Sequence, residues 1–241
     1  MNSKQQREFH EKLDPHAGSS RLAEIILGGQ DGLVNVLGVV LGVAAATSDP
    51  RIVLAAGLAA TFAESVSMGA VAYTSTLASN DLYRSEKQRE YRHIRLLPEL
   101  EKDEVRKLYA QKGFSGKTLD EIVEVITANP DVWVEVMMNE EHRLQPPGTR
   151  GDAIRSALVV GLAAIVGSLI PLVPFVFIPV GVSSILSLLI AALTLFAFGA
   201  YKARVTVGSP GKSGLQMAVI GTVSALVGYG VGLLFQAPVT P

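Results

Sequence analysis

The sequence predicts an all-α polytopic membrane protein: five transmembrane helices, with a helical insertion between the second and the third. Three observations carry this expectation. Of the 241 residues, 49% are hydrophobic and mean hydropathy is +0.35. Only 18% are charged, below the roughly 25% of ordinary soluble domains. That charge is gathered into residues 81–152, leaving 153–200 and 213–241 almost bare. A single globular core does not segregate charge in this way. The expected organisation is a polar lead over 1–20, two spans within 21–82, the insertion over 83–148 and three further spans within 149–241.

Taken in order, the lead is polar and lacks the apolar stretch of a cleavable signal peptide. It reads as an interfacial helix, with Ser19-Ser20 as a cap for the first span. That span runs from about Leu22 to Ala46 and contains Gly28-Gly29-Gln30-Asp31-Gly32. Glycines in a lipid-facing helix allow a close neighbour or a local unwinding, and Gly38-x-x-x-Gly42 offers a second close-packing face. Thr47-Ser48-Asp49-Pro50 is a turn.

The second span is the longest element. No proline interrupts Ile52 to Ile94, and Pro98 supplies the stop. A helix of that extent measures roughly 60 Å, about twice a bilayer core. Its first part is apolar and its second part charged, so it joins membrane to insertion. Within the insertion, Glu99–Lys112 reads as a helix ended by Gly113. Thr118-x-x-Glu121 resembles a capping box opening a helix over Leu119–Ala128, and a last helix covers about Val132–Leu144. The remaining spans are expected near Ala157–Leu172, Val180–Tyr201 and Leu215–Phe235, with Gly228-x-x-x-Gly232 in the last. Lys and Arg are rich in the lead, the insertion and the loop Lys202–Lys212, and sparse in the other connections. By the positive-inside rule the N-terminus and insertion are cytoplasmic and the C-terminus is outside. Short loops and the lack of a long N-terminal sorting segment suit a prokaryotic plasma membrane.

The chemistry classes narrow quickly. There is no cysteine, which excludes disulfides, thiolate metal sites and cysteine nucleophiles. A net charge of −1 without a basic-aromatic patch gives no footing for nucleic acid. Two carboxylates, Asp31 and Glu64, fall inside apolar runs, where an ionised group costs at least about 2.5 kcal/mol. Met68 lies one turn beyond Glu64 on the same face. Oxygens plus a thioether suit a divalent transition metal better than Mg²⁺ or Ca²⁺.

The insertion repeats that chemistry. Glu86 and Glu90 are one turn apart, His93 is three residues past Glu90, and Glu101 and Glu104 share the next helix's face. Met137 and Met138 stand four and three residues before Glu141. Each helix thus offers one ligand-bearing edge, and glutamate with imidazole and thioether suits Fe²⁺ or Mn²⁺. The plain alternative is that the glutamates line a solvated face and the methionines pack in a core.

With LGGQDGLVNVLGVVLGVAAA, ESVSMGAVAYTS, the acidic insertion and WVEVMMNEE in view, the chain resembles the vacuolar iron transporter family over nearly its whole length. The resemblance implies five spans, a homodimer in the lipid membrane and no enzymatic activity. It also implies export of Fe²⁺, and often Mn²⁺, from the cytosol in exchange for protons. The family's span-one aspartate falls on Asp31 and its span-two methionine on Met68. Its insertion ligands fall on Glu90, Glu101, Glu104, Met137, Met138 and Glu141. Two positions depart: His93 stands where a plant-type member has a second glutamate, and Ala60 stands where it has a span-two glutamate, with Glu64 one turn further on as replacement. The opposing expectation is a membrane-anchored di-iron oxidase or iron store. Glu90-x-x-His93 is half of the Glu-x-x-His pattern of di-iron bundles, but no second copy exists among the four histidines. A metal sensor without transport is a third reading.

Overall fold

A computed structural model describes residues 19–206 and 208–235; the expectations for the polar lead up to residue 18 and for the C-terminal tail lie outside the described residues. Among the described residues every regular element is helical. Five helices are long and apolar enough to cross a membrane: Leu22–Ala46, Pro50–Leu96, Arg150–Phe177, Val180–Val205 and Pro210–Leu234. The chain is a membrane protein. It divides into two compact units, one of Met1–Ala72 with Arg155–Pro241, the other of Tyr73–Ile154.

The first unit holds α1 (Ser19–Ala46) and the opening of α2 (Pro50–Leu96), with α6 (Arg150–Leu169) from Arg155 onward. It also holds α7 (Val173–Phe177), α8 (Val180–Val205) and α9 (Pro210–Leu234). Asp49 starts α2: its carboxylate accepts from the Arg51 amide at 2.8 Å, and Pro50, lacking an amide proton, takes the first helical position.

Two apolar clusters organise the packing. Leu33, Leu37 and Leu41 of α1 meet Ala191 and Leu195 of α8 and Met217 and Ala225 of α9. Val36 and Val40 meet Val53, Leu172, Phe175 and Val180. The glycines of α1 serve close approach, since the helix runs unbroken from Ser19 to Ala46. The two small-residue motifs read separately in the sequence pack on each other. A Cβ on Gly228 would collide with the Gly38 carbonyl, and one on Gly232 with the Gly42 carbonyl. The third span continues further than its prolines suggest. After Leu169 a 3₁₀ turn (Ile170–Leu172) leads into α7, and helical structure ends only at Ile178. The Ser187 hydroxyl donates to the Pro171 carbonyl at 2.6 Å, so the break stays hydrogen-bonded in an apolar setting.

The second unit is built from the charged end of α2, α3 (Pro98–Gln111), α4 (Gly116–Thr127) and α5 (Pro130–Val136), which passes into a π-helical turn over Met137–Glu141. α2 stops at Leu96, Leu97 leaves helical geometry, and Pro98 opens α3 rather than merely ending α2. At the far end of α3, Gly113 adopts φ +96°, the Phe114 amide donates to Tyr109 at 3.3 Å, and the two rings sit 6.0 Å apart. This is a Schellman stop with its hydrophobic contact. Tyr83, Ile94, Val105, Leu119, Val123, Ile126, Trp133, Val134, Met137 and Met138 form this unit's core.

One sequence expectation is corrected. α4 begins at Gly116, after Ser115, so Thr118 and Glu121 lie inside it and cap nothing; Glu121 pairs with Lys117 at 3.4 Å. The capping box is at Thr149-x-x-Asp152, where the Asp152 carboxylate accepts from the Thr149 amide at 2.7 Å and the Thr149 hydroxyl accepts from the Asp152 amide at 3.1 Å. It opens α6.

Candidate metal centre

The insertion site is assembled from three directions. Glu90 and His93 project from the same edge of α2, three residues apart. Glu101 and Glu104 do so from the first turns of α3, and Glu141 and His142 come from the π turn and the residue after it. Glu90 and Glu101 are buried at 3% exposure, although both are acids. One ligand atom each from Glu90, His93 and Glu101 lie mutually within 4.8 Å. His93 Nδ1 is 3.3 Å from Glu101 Oε1 and 4.0 Å from Glu90 Oε1, and His142 Nε2 is 3.0 Å from Glu90 Oε1. Ligand atoms about 2.1 Å from one metal ion stand about 3.0–3.4 Å apart. Two of these separations already match.

The electrostatics point the same way. Burial raises Glu101 to about 7, and the charges of Glu90, Glu104 and Glu141 and a hydrogen bond with Glu104 add to it. The N-terminal end of α3 favours a carboxylate in its first turn, but desolvation and three like charges outweigh it. Burial likewise pushes Glu141 up, Glu104 and Glu90 add to it, and His142 and His93 oppose it. For His142, burial favours the neutral ring, yet the hydrogen bond to Glu90 and the charges of Glu90, Glu141 and Glu86 prevail and raise it. The outer oxygens, Glu90 Oε2 and Glu101 Oε2, are buried with no hydrogen-bond partner. Orphaned carboxylate oxygens of this kind are costly, and a cation answers them. Carboxylate oxygens with imidazole nitrogens form a donor set that fits a divalent first-row metal.

Of the other residues named from the sequence, Met137 and Met138 are fully buried in the core of this unit, beside Trp133 and Val134. In the membrane unit the carboxyl of Glu64 is hydrogen-bonded with Asp31, and Asn35 also reaches it. Met68 is half-buried one turn further along α2. Ala60 packs against the cluster of Val36, Val40 and Phe175. Two polar residues escaped sequence reasoning. His142 follows Glu141 directly and stands four residues after Met138, the spacing that singled out Met137 and Glu141, so a signal was present. Asn35 stands four after Asp31, also on its face.

The model of the VIT family matches residues 22–233. The chain is similar to vacuolar iron transporter 1 of Eucalyptus grandis, 31% identical over 235 residues that cover 97% of this chain and 94% of that one. It is similar to vacuolar iron transporter 2 of Oryza sativa subsp. japonica, 33% identical over 89% of this chain and 87% of that one. It is also similar to the vacuolar iron transporter of Toxoplasma gondii, 31% identical over 94% of this chain and 78% of that one. These relatives bear the names of transporters, in keeping with the expectation that the chain is not an enzyme. By a family match across nearly its whole length, the chain belongs to the VIT family.

Proposed function

We propose that this protein carries a divalent transition metal, Fe²⁺ foremost and Mn²⁺ as a second cargo, out of the cytosol in exchange for protons. One observation carries the reading: Glu90 and Glu101 are buried acids whose outer oxygens lack partners, flanked by imidazole nitrogens at 3.0 and 3.3 Å. The insertion captures the metal from the cytoplasmic side through Glu90, His93, Glu101, Glu104 and Glu141. Met137 and Met138, fully buried in the core of this unit, are the thioether donors that the family resemblance implies. Asp31, Glu64 and Met68 form a second station among the apolar helices. Coupling arises from competition, because a carboxylate holding a proton cannot also hold a cation. The protein acts as a homodimer. Asn35, although it reaches Glu64, is exposed on an apolar helix, and a second copy would cover this polar surface from lipid.

The oxidase or storage reading is not favoured. Its second Glu-x-x-His is missing, since Asn139 occupies the position three before His142. The deciding experiment is Fe²⁺ flux into sealed vesicles containing the purified protein, with and without a pH gradient. Flux that rises with an opposing proton gradient is expected. Binding without flux would leave a sensor or store and overturn the transport reading.

A further inference from the structure

His142 lies outside the ligand set that the sequence carries, yet it stands closest of all to a buried acid. Its Nε2 is 3.0 Å from Glu90 Oε1, nearer than His93 Nδ1 at 4.0 Å. It is reached through the π turn. The His142 amide donates to the Met137 carbonyl at 3.1 Å, five residues back, which widens the last turn before the chain leaves the helix at Arg143, with φ +53°. π turns of this kind concentrate at functional sites. Glu90 and Glu101 keep their outer oxygens buried and unpartnered, and His93 Nδ1 lies 3.3 Å from Glu101 Oε1. Two imidazoles therefore flank two buried carboxylates.

Building on the metal-capture reading, we propose that His142 is a direct ligand of the captured ion, so that the insertion presents two imidazole nitrogens, from His93 and His142, with the carboxylates of Glu90 and Glu101. On metal entry the Glu90 and His142 groups exchange their mutual hydrogen bond for bonds to the ion, with the His142 proton residing on Nδ1. The 3.0 Å separation of His142 and Glu90 is already that of neighbouring ligands, while Glu90, His93 and Glu101 already gather one ligand atom each within 4.8 Å, so His142 closes on that trio as the ion enters. The consequence is selectivity. Each imidazole replacing an oxygen donor favours the later, borderline metals Fe²⁺, Co²⁺ and Zn²⁺ over Mn²⁺ and Mg²⁺. His142 is thereby a specificity-determining residue of the capture step.

The test uses the full chain in detergent micelles loaded with Zn²⁺, and X-ray absorption at the zinc edge to count bound imidazoles. His142→Gln keeps a hydrogen-bonding group for Glu90 but offers no imidazole. It is expected to lose one imidazole from the count relative to wild type, and His93→Gln another. The ratio of Zn²⁺ to Mn²⁺ affinity should fall roughly tenfold in His142→Gln. An unchanged imidazole count in His142→Gln, even with weaker binding, would show that His142 only positions Glu90 and overturn the proposal. Should the Glu90→Gln, Glu101→Gln double variant bind Zn²⁺ as wild type does, the capture site itself would fall, and this inference with it. Circular dichroism of each variant separates lost ligation from lost folding.

Discussion

Glu64 on α2 is hydrogen-bonded through its carboxyl with Asp31 on α1, and the side chain of Asn35 joins the pair. Two acids brought together between apolar helices are expensive, at least about 2.5 kcal/mol for each ionised group. An arrangement that merely tolerated a stray carboxylate would not aim a second one at it. Glu64→Gln is therefore expected to abolish metal flux in vesicles while metal binding by the insertion stays intact. Returning the acid to the other position, as Ala60→Glu with Glu64→Ala, should not restore flux. Ala60 packs against the apolar cluster of Val36, Val40 and Phe175, which offers a carboxylate no polar partner. Wild-type flux from Glu64→Gln would mean that Asp31 and Met68 suffice.

A second prediction concerns protons. Glu101 is raised from 4.5 to about 7, chiefly by burial, so the folded protein holds this proton more tightly than the unfolded chain does. In the metal-free protein that contribution to stability is fully present below the unfolded value and is lost as pH rises through about 7. The melting temperature should accordingly fall between about pH 5 and pH 7.5, with a shallower fall in Glu101→Gln. Metal binding needs the carboxylate, so it must expel the proton. Calorimetry near pH 6.5 in buffers of different ionisation heat should show proton release that shrinks in Glu101→Gln. Equal release in both proteins would move the proton to another group.

Much of this fold was legible in the sequence, and the reason is simple. Spans are set by apolar length and by proline, both local properties, so α2, α8 and the charged insertion emerge directly. What lies between helices was not. Nothing in the spacing of Asp31 or Glu64 says that α1 and α2 meet with those two side chains in register. Nor does it show that Gly38 and Gly42 face Gly228 and Gly232. Within the insertion, the i, i+3 rule put Glu90 with His93 on one edge and Glu101 with Glu104 on another because α2 and α3 are regular there. It stopped short of His142, four residues after Met138, because only the π-helical turn over Met137–Glu141, which spacing does not reveal, brings that ring to Glu90. The Thr118-x-x-Glu121 pattern misled because the same four-residue signature recurs inside helices as an ordinary surface pair.

The glycine contact gives a third prediction with a built-in control. A Cβ at Gly232 would strike the backbone carbonyl of Gly42, whereas one at Gly230, two residues earlier on the same helix, would meet nothing within 4 Å. Backbone cannot turn aside as a side chain does, so α1 and α9 must separate. Gly232→Ala should lower stability by about 1–3 kcal/mol, read as a drop in melting temperature in detergent. Gly230→Ala should melt with wild type or slightly above it, since alanine is the better helix former. Equal melting of the two variants would show that the helices part at no cost.

The last prediction concerns the way the insertion ends. Asn80, buried on α2, uses both ends of its amide on one residue. Its Nδ2 donates to the Gly148 carbonyl at 2.9 Å, and its Oδ1 accepts from the Gly148 amide at 3.1 Å. The side chain thus supplies both hydrogen bonds that a neighbouring backbone would supply, to a segment that has no regular structure of its own. Gln145-Pro146-Pro147-Gly148 has few amides to offer because two of its residues are prolines. Removing the partner should strand a backbone donor and acceptor, at about 1–3 kcal/mol. Asn80→Ala should therefore speed hydrogen exchange at Gly148 and expose residues 144–149 to proteolysis. Asn80→Asp should do nearly as much, because a carboxylate accepts from the Gly148 amide but has nothing to donate to its carbonyl. Metal binding at Glu90 and Glu101 should survive in both, since neither acid touches this clamp. Protection equal to wild type in Asn80→Ala would show that the two prolines alone fix the segment.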